Sequence, residues 1–125
     1  MSMLCVDKDI KAAVFDVDGT LYYYRNGCVP HSAIDAVARL KEKGYFIIVA
    51  TGRTMAMLNP QITEELAPDY YILSNGALVS DRNSLIFFSN PFSRKETDFL
   101  VDLTNAYGGA MILKYQNENC IYFDY

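Results

Sequence analysis

The sequence predicts an α/β fold built around a parallel sheet, and three observations support that prediction. Short apolar runs of strand length recur along the chain, at 12–15, 45–50 and 70–74. Apolar residues at helical spacing follow the first two runs, so the order is strand, helix, strand, as in the crossover unit of a parallel sheet. Each run also ends in a polar turn that contains glycine, and ligands bind beyond the carboxyl ends of such strands.

The first strand leads directly into the turn Asp16-Val17-Asp18-Gly19-Thr20. Its residues are all apolar, which indicates a strand buried on both faces. Extended geometry would bring the carboxylates of Asp16 and Asp18 to the same side, and Gly19 allows a sharp turn. Two crowded carboxylates repel each other unless a cation is present, so they form a candidate cation site. An ordinary polar turn is the alternative interpretation.

A tyrosine-rich segment and a helix separate the first two strands. Residues 21–29 contain Asn26-Gly27, a dipeptide typical of hairpin turns. Pro30 suits the first turn of a helix, and helical spacing of apolar residues over 31–43 predicts that helix. Gly44 is a natural terminator before the second strand.

The second strand ends in Thr51-Gly52-Arg53. A hydroxyl, a glycine N–H and the N-terminus of a following helix are groups that bind phosphate. We expect that helix over 55–66, with a kink or restart at Pro60. The third strand ends in Asn75-Gly76-Ala77, so three polar turns meet at one sheet edge and indicate a shared site.

The second half of the chain predicts hairpins and one more helix. A hairpin is expected over 78–89, and the composition shifts at Asn90-Pro91. We therefore divide the chain into a domain of residues 1–90 and the start of another at 91–125. Ser93 and Glu96 form a capping box that opens a helix. Strands at 110–115 and 120–124 follow.

The composition excludes several functional classes. The chain has 125 residues, of which 51% are hydrophobic and 21% charged, as expected of one globular domain. A net charge of -4 without a basic cluster argues against nucleic acid, and no apolar run is long enough for a membrane span. Three widely spaced cysteines predict neither disulfides nor a zinc site but reduced thiols in a cytoplasmic protein.

The turn Asp16-Val17-Asp18-Gly19-Thr20-Leu21 resembles the first motif of the haloacid dehalogenase (HAD) superfamily of phosphohydrolases. Thr51-Gly52-Arg53 and Asn75-Gly76-Ala77 are similar to the Cof-type sugar-phosphatase branch. The resemblance implies a Rossmann-like, three-layer parallel core, of which this chain holds the first half, and the start of an α/β cap. It also implies that residues 21–29 form a flap beside the active site.

The resemblance assigns roles to individual residues. Asp16 would attack phosphorus and form an aspartyl-phosphate, and Asp18 would act as general acid and base. Mg²⁺ would bind a carboxylate oxygen of Asp16 and the backbone carbonyl of Asp18. Thr51 and the N–H of Gly52 would hold the phosphoryl group of a small phosphorylated metabolite. By family position Arg53 and Asn75 would line the same phosphate-binding site.

The resemblance also shows what this sequence lacks. The family uses a lysine that follows the cap and an acidic Gly-Asp motif that completes the metal site, and neither is found here. Lys114 falls in a predicted cap strand, and Asp124 has no Gly-Asp context. The sequence therefore predicts a truncated and catalytically incomplete phosphatase. A phosphate- or metal-binding remnant without activity is the alternative, and a receiver of the response-regulator class is a third, less well supported by the Asp-Gly-Thr turn.

An incomplete sheet also predicts self-association. The strand at 12–15 is apolar on both faces, yet its second neighbour would lie in the absent half. An unpaired strand edge is a template for pairing with another chain. We expect association through that edge or through the one near 120–125.

Overall fold

The computed structural model describes residues 11–25, 27–115 and 118–123. These residues form a five-stranded sheet, a separate two-stranded sheet and two α-helices. In chain order the elements are β1 (Ala12–Phe15), α1 (His31–Glu42), β2 (Phe46–Ala50), β3 (Tyr70–Leu73), β4 (Leu78–Asp81), β5 (Ile86–Ser89), α2 (Arg94–Tyr107), β6 (Ala110–Lys114) and β7 (Asn119–Phe123). Within the described ranges, no helix is long and apolar enough to cross a membrane.

The larger sheet confirms the predicted parallel core. Its strands lie in the order β1-β2-β3-β4-β5. The pairs β1–β2 and β2–β3 are parallel, with Phe15 opposite Val49 and Ala50 opposite Ile72. The pairs β3–β4 and β4–β5 are antiparallel, as expected of a hairpin. Because β1, β2 and β3 run in the same direction, their carboxyl ends meet at one edge of the sheet.

The hydrophobic core lies on one face of this sheet. Ile47, Val49 and Leu73 are almost completely buried there, together with Val37 of α1 and Ile62. The helix α1 contacts β2 and the segment Gln61–Leu66. This packing fixes the strands whose carboxyl ends carry the polar turns.

The opposite face of the sheet is open, which corrects the prediction that β1 is buried on both faces. Val14 is 57% exposed and Phe46 is 50% exposed. The rings of Phe46, Tyr70 and Phe87 form a row across this face, with successive centroids 5.9 Å apart. No described segment packs over this row. Strands that are apolar on both faces normally have a layer of helices on each side, whereas here only one face of the sheet is covered.

The segment 55–66 restarts at Pro60 as predicted, but it forms two short turns instead of an α-helix. The chain forms a three-residue 3₁₀ turn, Met55–Met57, and a six-residue turn of π-helical geometry, Gln61–Leu66. Leu58 is extended between them, with ψ 140°. The Asn59 carbonyl and side chain accept the N–H groups of Ile62 and Gln61, so the second piece starts anew at Asn59-Pro60. The 3₁₀ turn is too short to provide the helix dipole expected at Thr51-Gly52-Arg53.

The helix α2 begins at the predicted capping box. The Ser93 hydroxyl accepts the N–H of Glu96 at 3.3 Å, and the Glu96 carboxylate accepts the N–H of Ser93 at 2.7 Å. Gly108 ends the helix with φ 64°, a conformation that glycine adopts without strain. The strands β6 and β7 then form their own antiparallel sheet. The domain boundary at residue 90 stays a prediction.

Candidate active site

Turns that follow β1, β2 and β3 meet at the carboxyl edge of the sheet. The N–H of Asn75 donates to the carbonyl oxygen of Thr51 at 3.1 Å, and the N–H of Ser74 donates to that of Arg53 at 2.9 Å. The turns after β2 and β3 are therefore joined by backbone hydrogen bonds. Asp16 follows Phe15, whose partner Val49 lies two residues before Thr51. The structure thus brings all six predicted site residues to one edge.

The turn after β1 presents both aspartates to solvent. Val17 between them is completely buried, and its carbonyl oxygen accepts the N–H groups of Thr20, Leu21 and Tyr22 at 3.2, 3.0 and 2.8 Å. Gly19 has φ 80°, in the left-handed region that favours glycine. A buried valine between exposed aspartates is the alternation expected from the Asp-x-Asp spacing.

Arg53 binds Asp18 directly. Its Nε and Nη2 donate to the two carboxylate oxygens of Asp18 at 3.1 and 2.6 Å. Nη1 donates to the carbonyl oxygen of Met57 at 2.9 Å, and Nη2 also reaches the hydroxyl of Tyr24 at 3.2 Å. The guanidinium lies 5.3 Å from the ring centroid of Tyr22 and 5.8 Å from that of Tyr24. Its side chain therefore contacts a carboxylate and the tyrosine flap in this arrangement.

The flap is a minimal hairpin. A single antiparallel bridge joins Tyr23 to Cys28, and the N–H of Gly27 donates to the Tyr23 carbonyl at 3.0 Å. Asn26 of the predicted turn lies outside the described residues. The rings of Tyr22 and Tyr24 meet edge to face, with centroids 5.6 Å apart. Both rings of this segment therefore lie against the guanidinium of Arg53.

The pairing changes the acid–base properties of both partners. Hydrogen bonds from Arg53 lower the pKa of the Asp18 carboxyl, and the same contact raises the pKa of Arg53. Asp18 is therefore ionised at neutral pH. A general acid must carry a proton, so the contact with Arg53 has to weaken before Asp18 can donate one.

We expect the Arg53–Asp18 pair to contribute stability that depends on pH. Because the pKa of Asp18 is lowered in the folded state, the contribution is complete above about pH 4 and is lost as the pH falls below it. Arg53→Met should lower the free energy of unfolding by about 0.2–1 kcal/mol at pH 7, as for other partly exposed pairs. Thermal melts of the wild type and Arg53→Met should differ above about pH 4 and converge as the pH falls from about 4 to about 2.

Arg39→Met, on an exposed part of α1, is the matched control for this comparison. Its melting temperature should follow that of the wild type at every pH. A gap between wild type and Arg53→Met that is the same at all pH values would contradict an ionic contribution and leave only the packing of Arg53 on the tyrosines.

The turn after β2 has the features of a phosphate-binding loop. Thr51 is 6% exposed, and its hydroxyl oxygen accepts the N–H of Arg53 at 3.2 Å. Its hydroxyl proton is then free to donate to a ligand. A Cβ on Gly52 would lie 2.8 Å from Oδ1 of Asn75, so a larger residue at this position would require the Asn75 side chain to move. Asn75 itself has φ 58°.

The sequence model of the haloacid dehalogenase-like hydrolase family matches residues 13–125. The chain belongs to this family. The match confirms the resemblance inferred from the Asp-x-Asp turn, and it extends over the flap, the sheet and the two-stranded sheet.

Relatives and solved structures agree with this assignment. The chain is 36% identical over 83 residues to YkrA of Bacillus subtilis (strain 168), which is provisionally named a phosphatase. It is similar to BT1666 from Bacteroides thetaiotaomicron, a HAD-superfamily phosphatase, with a TM-score of 0.79 and 25% identity over 90% of this chain. It matches the HAD subclass IIB sugar phosphatase BT4131 with a TM-score of 0.79 and 26% identity over 89% of this chain.

This chain spans only part of these proteins. The matched region is 31% of YkrA, 41% of the BT1666 chain and 43% of the BT4131 chain. The family and the Rossmann-like fold are therefore established for a chain that corresponds to less than half of each of these proteins.

The residues at the edge fit a hard divalent cation. Asp16 offers an exposed carboxylate, and no described backbone N–H donates to the carbonyl oxygen of Asp18. Groups of three or more metal-binding side chains are not found within the described ranges. Mg²⁺ keeps several waters and is commonly bound through one or two carboxylates together with substrate phosphate, so a sparse oxygen donor set suits it.

Sequence analysis missed two contacts from the second sheet. The ammonium of Lys114 donates to the carbonyl oxygen of Gly52 at 2.5 Å. The side chains of Asn119 and Thr54 are hydrogen-bonded at 3.3 Å. These pairs are separated by 62 and 65 residues, and no local pattern in the sequence marks such contacts.

Proposed function

We propose that this chain carries the nucleophile and the phosphate-binding loop of a Mg²⁺-dependent phosphatase that acts on small phosphate esters. The convergence of the Asp16-Val17-Asp18 turn with Thr51, Gly52 and Asn75 at one sheet edge carries the proposal. The names of its relatives, which include phosphatases of the HAD superfamily, support the same reaction class.

The reaction assigns one role to each aspartate. A carboxylate oxygen of Asp16 forms a bond to phosphorus while the bond from phosphorus to the ester oxygen breaks, and Asp18 gives its proton to that leaving oxygen. Asp18 then takes a proton from water, which attacks phosphorus and releases phosphate from Asp16. The hydroxyl of Thr51 and the N–H of Gly52 would hold the transferring group in place.

The proposed cation site consists of the Asp16 carboxylate and the Asp18 carbonyl oxygen. Mg²⁺ held there would neutralise charge on the phosphate and on the attacking carboxylate. The Asp18 side chain is left for proton transfer, once Arg53 releases it. In this proposal Arg53 restrains Asp18 until phosphate, a stronger anionic partner, competes for the guanidinium.

A phosphate- or metal-binding protein without turnover is the second candidate. The pairing of Asp18 with Arg53 favours it, because a carboxylate held in an ion pair is a poor acid. We propose in addition that the substrate is a small phosphorylated metabolite. Unpaired, widely spaced cysteines favour a cytoplasmic location.

Hydrolysis of an aryl phosphate with and without Mg²⁺ tests the proposed reaction. We expect the 125-residue chain to hydrolyse p-nitrophenyl phosphate slowly and only with Mg²⁺. The lysine and the Gly-Asp motif of the family are not among its residues, and the loss of one such electrostatic group lowers the turnover rate on the order of a hundredfold. Phosphate binding without any turnover would support the second candidate. Turnover that is indifferent to Mg²⁺ would contradict the proposed cation site.

A further inference from the structure

We infer that Lys114 of β6 is a phosphate-binding residue, through which the two-stranded sheet contributes to the site at the carboxyl edge. The inference rests on the proposed function and adds a residue to it. Its basis is the hydrogen bond from the Lys114 ammonium to the Gly52 carbonyl oxygen, 2.5 Å long.

That contact places the ammonium close to the proposed phosphate position. Three covalent bonds separate the Gly52 carbonyl oxygen from the Gly52 amide nitrogen, so the ammonium lies within about 7 Å of that nitrogen. When two donors each contact a different oxygen of one phosphate group at about 2.9 Å, the distance between the donors is comparable to this ammonium–nitrogen distance. A phosphoryl group on the Gly52 N–H is therefore within reach of Lys114.

At this loop, Lys114 is the cation that an arriving anion can contact without first displacing a carboxylate. The guanidinium of Arg53 already binds the Asp18 carboxylate. Lys114 contacts a neutral carbonyl instead, and none of the carboxylates in the described ranges forms an ion pair with it. An ammonium has three donors, and a phosphate oxygen is a far stronger acceptor than a carbonyl.

The position of Lys114 is fixed by a second contact. In the β6–β7 register Lys114 lies opposite Asn119. The Asn119 side chain is hydrogen-bonded to the hydroxyl of Thr54, a residue only 1% exposed. The turn end of the hairpin is thus anchored to residues 52–54 by two side chains from two strands.

A cavity beside Lys114 limits the organic part of the ligand. Its volume is about 220 Å³, and it is lined by Thr54, Ser74 and Ser89 beside the apolar Ala77, Leu78 and Pro91, with Lys114 at its wall. Sites for drug-sized molecules occupy about 300–1,000 Å³. The ligand is therefore a small phosphate monoester, with its phosphoryl group between Gly52 and Lys114 and a compact group of mixed polarity in the cavity.

Binding of inorganic phosphate to the 125-residue chain tests this inference, with calorimetry as the readout. Lys114→Met keeps the aliphatic stem and removes the charge, and we expect it to raise the Kd for phosphate roughly ten- to a hundredfold. Lys114→Arg should retain most of the affinity. Lys43→Met, at the end of α1 that leads into the opposite edge of the sheet, is the matched control and should bind like the wild type.

Salt dependence separates a charge that binds the anion from a residue that only shapes the loop. Affinity of the wild type should fall as ionic strength rises, and Lys114→Met should show a clearly weaker dependence. A hairpin that was merely displaced would lose affinity without losing this dependence. Asn119→Ala removes the anchor and keeps the charge, so its salt dependence should remain that of the wild type.

The outcomes distinguish this inference from the proposed function. An unchanged Kd in Lys114→Met, beside weakened binding in Thr51→Val, would overturn the role of Lys114 alone. A wild type that does not bind phosphate would overturn both. Phosphate binding that depends on Lys114 in a chain without hydrolysis would support the inference and contradict the proposed reaction.

Discussion

Asp16→Asn is expected to abolish phosphoryl transfer by this chain. The substitution keeps the size of the side chain at the end of β1 but removes the carboxylate that would bond to phosphorus. Loss of a nucleophile in a comparable covalent mechanism costs roughly 10⁴-fold or more in turnover, far beyond the effect of losing a binding contact. Hydrolysis of p-nitrophenyl phosphate should therefore fall to the uncatalysed rate, while phosphate affinity changes little.

Mass spectrometry gives a second readout of the same residue. Acid quenching during turnover should trap one phosphoryl group on the wild type and none on Asp16→Asn. Asp18→Asn should still accumulate the phosphorylated form, because p-nitrophenolate leaves without a proton and the loss of Asp18 then slows mainly the release by water. Asp35→Asn, on the exposed side of α1, is the control and should behave like the wild type. Phosphorylation that survives Asp16→Asn would assign the nucleophile to another residue.

The second large effect concerns the oligomeric state. We expect this chain to associate in a concentration-dependent way, because β1 ends the strand order and has no second partner among the described residues. Apolar surface lies next to this unpaired edge. It consists of Val14 on β1 and the aromatic row of Phe46, Tyr70 and Phe87. An unpaired edge next to exposed apolar surface favours pairing with another chain.

Light scattering over a concentration series checks this expectation. Val14→Lys places a charge on the edge strand and should shift the chain towards monomer. Ile121→Lys, on β7 and 60% exposed, tests the edge of the smaller sheet in the same way. Monodisperse monomers of the wild type at every concentration would contradict association through either edge.

The strands and their polar turns could be predicted because local patterns determine them. The apolar runs gave the bounds of β1 without error and those of β2 and β3 to within one residue. Ser93 and Glu96 marked the start of α2, since a capping box is a contact between residues three apart. Pro60 marked the restart in the segment 55–66, but the apolar spacing gave no sign that residues 55–57 would form only a 3₁₀ turn followed by an extended Leu58.

Contacts between distant segments could not be predicted from the sequence. Arg53 is 35 residues from Asp18, and its spacing gives no sign that it would bind that carboxylate. Lys114 fell in the predicted strand, but nothing in that strand indicated the Gly52 carbonyl as its partner. The open face of the sheet was also not predicted, because the covering of a strand depends on contacts between distant segments. An apolar residue such as Val14 predicts burial, but the sequence pattern does not indicate which segment would pack against it.

The contacts of Arg53 also determine how this edge of the molecule opens. One side chain holds the aspartate turn, the tyrosine flap and the carbonyl of Met57. Segments that share such a centre exchange their amide hydrogens together, because none of them can leave without breaking the same set of contacts. Amides of Gly19, Gly27 and Met57, each bonded inside its own turn, should then show one common opening rate in hydrogen exchange, and Arg53→Met should divide it into three.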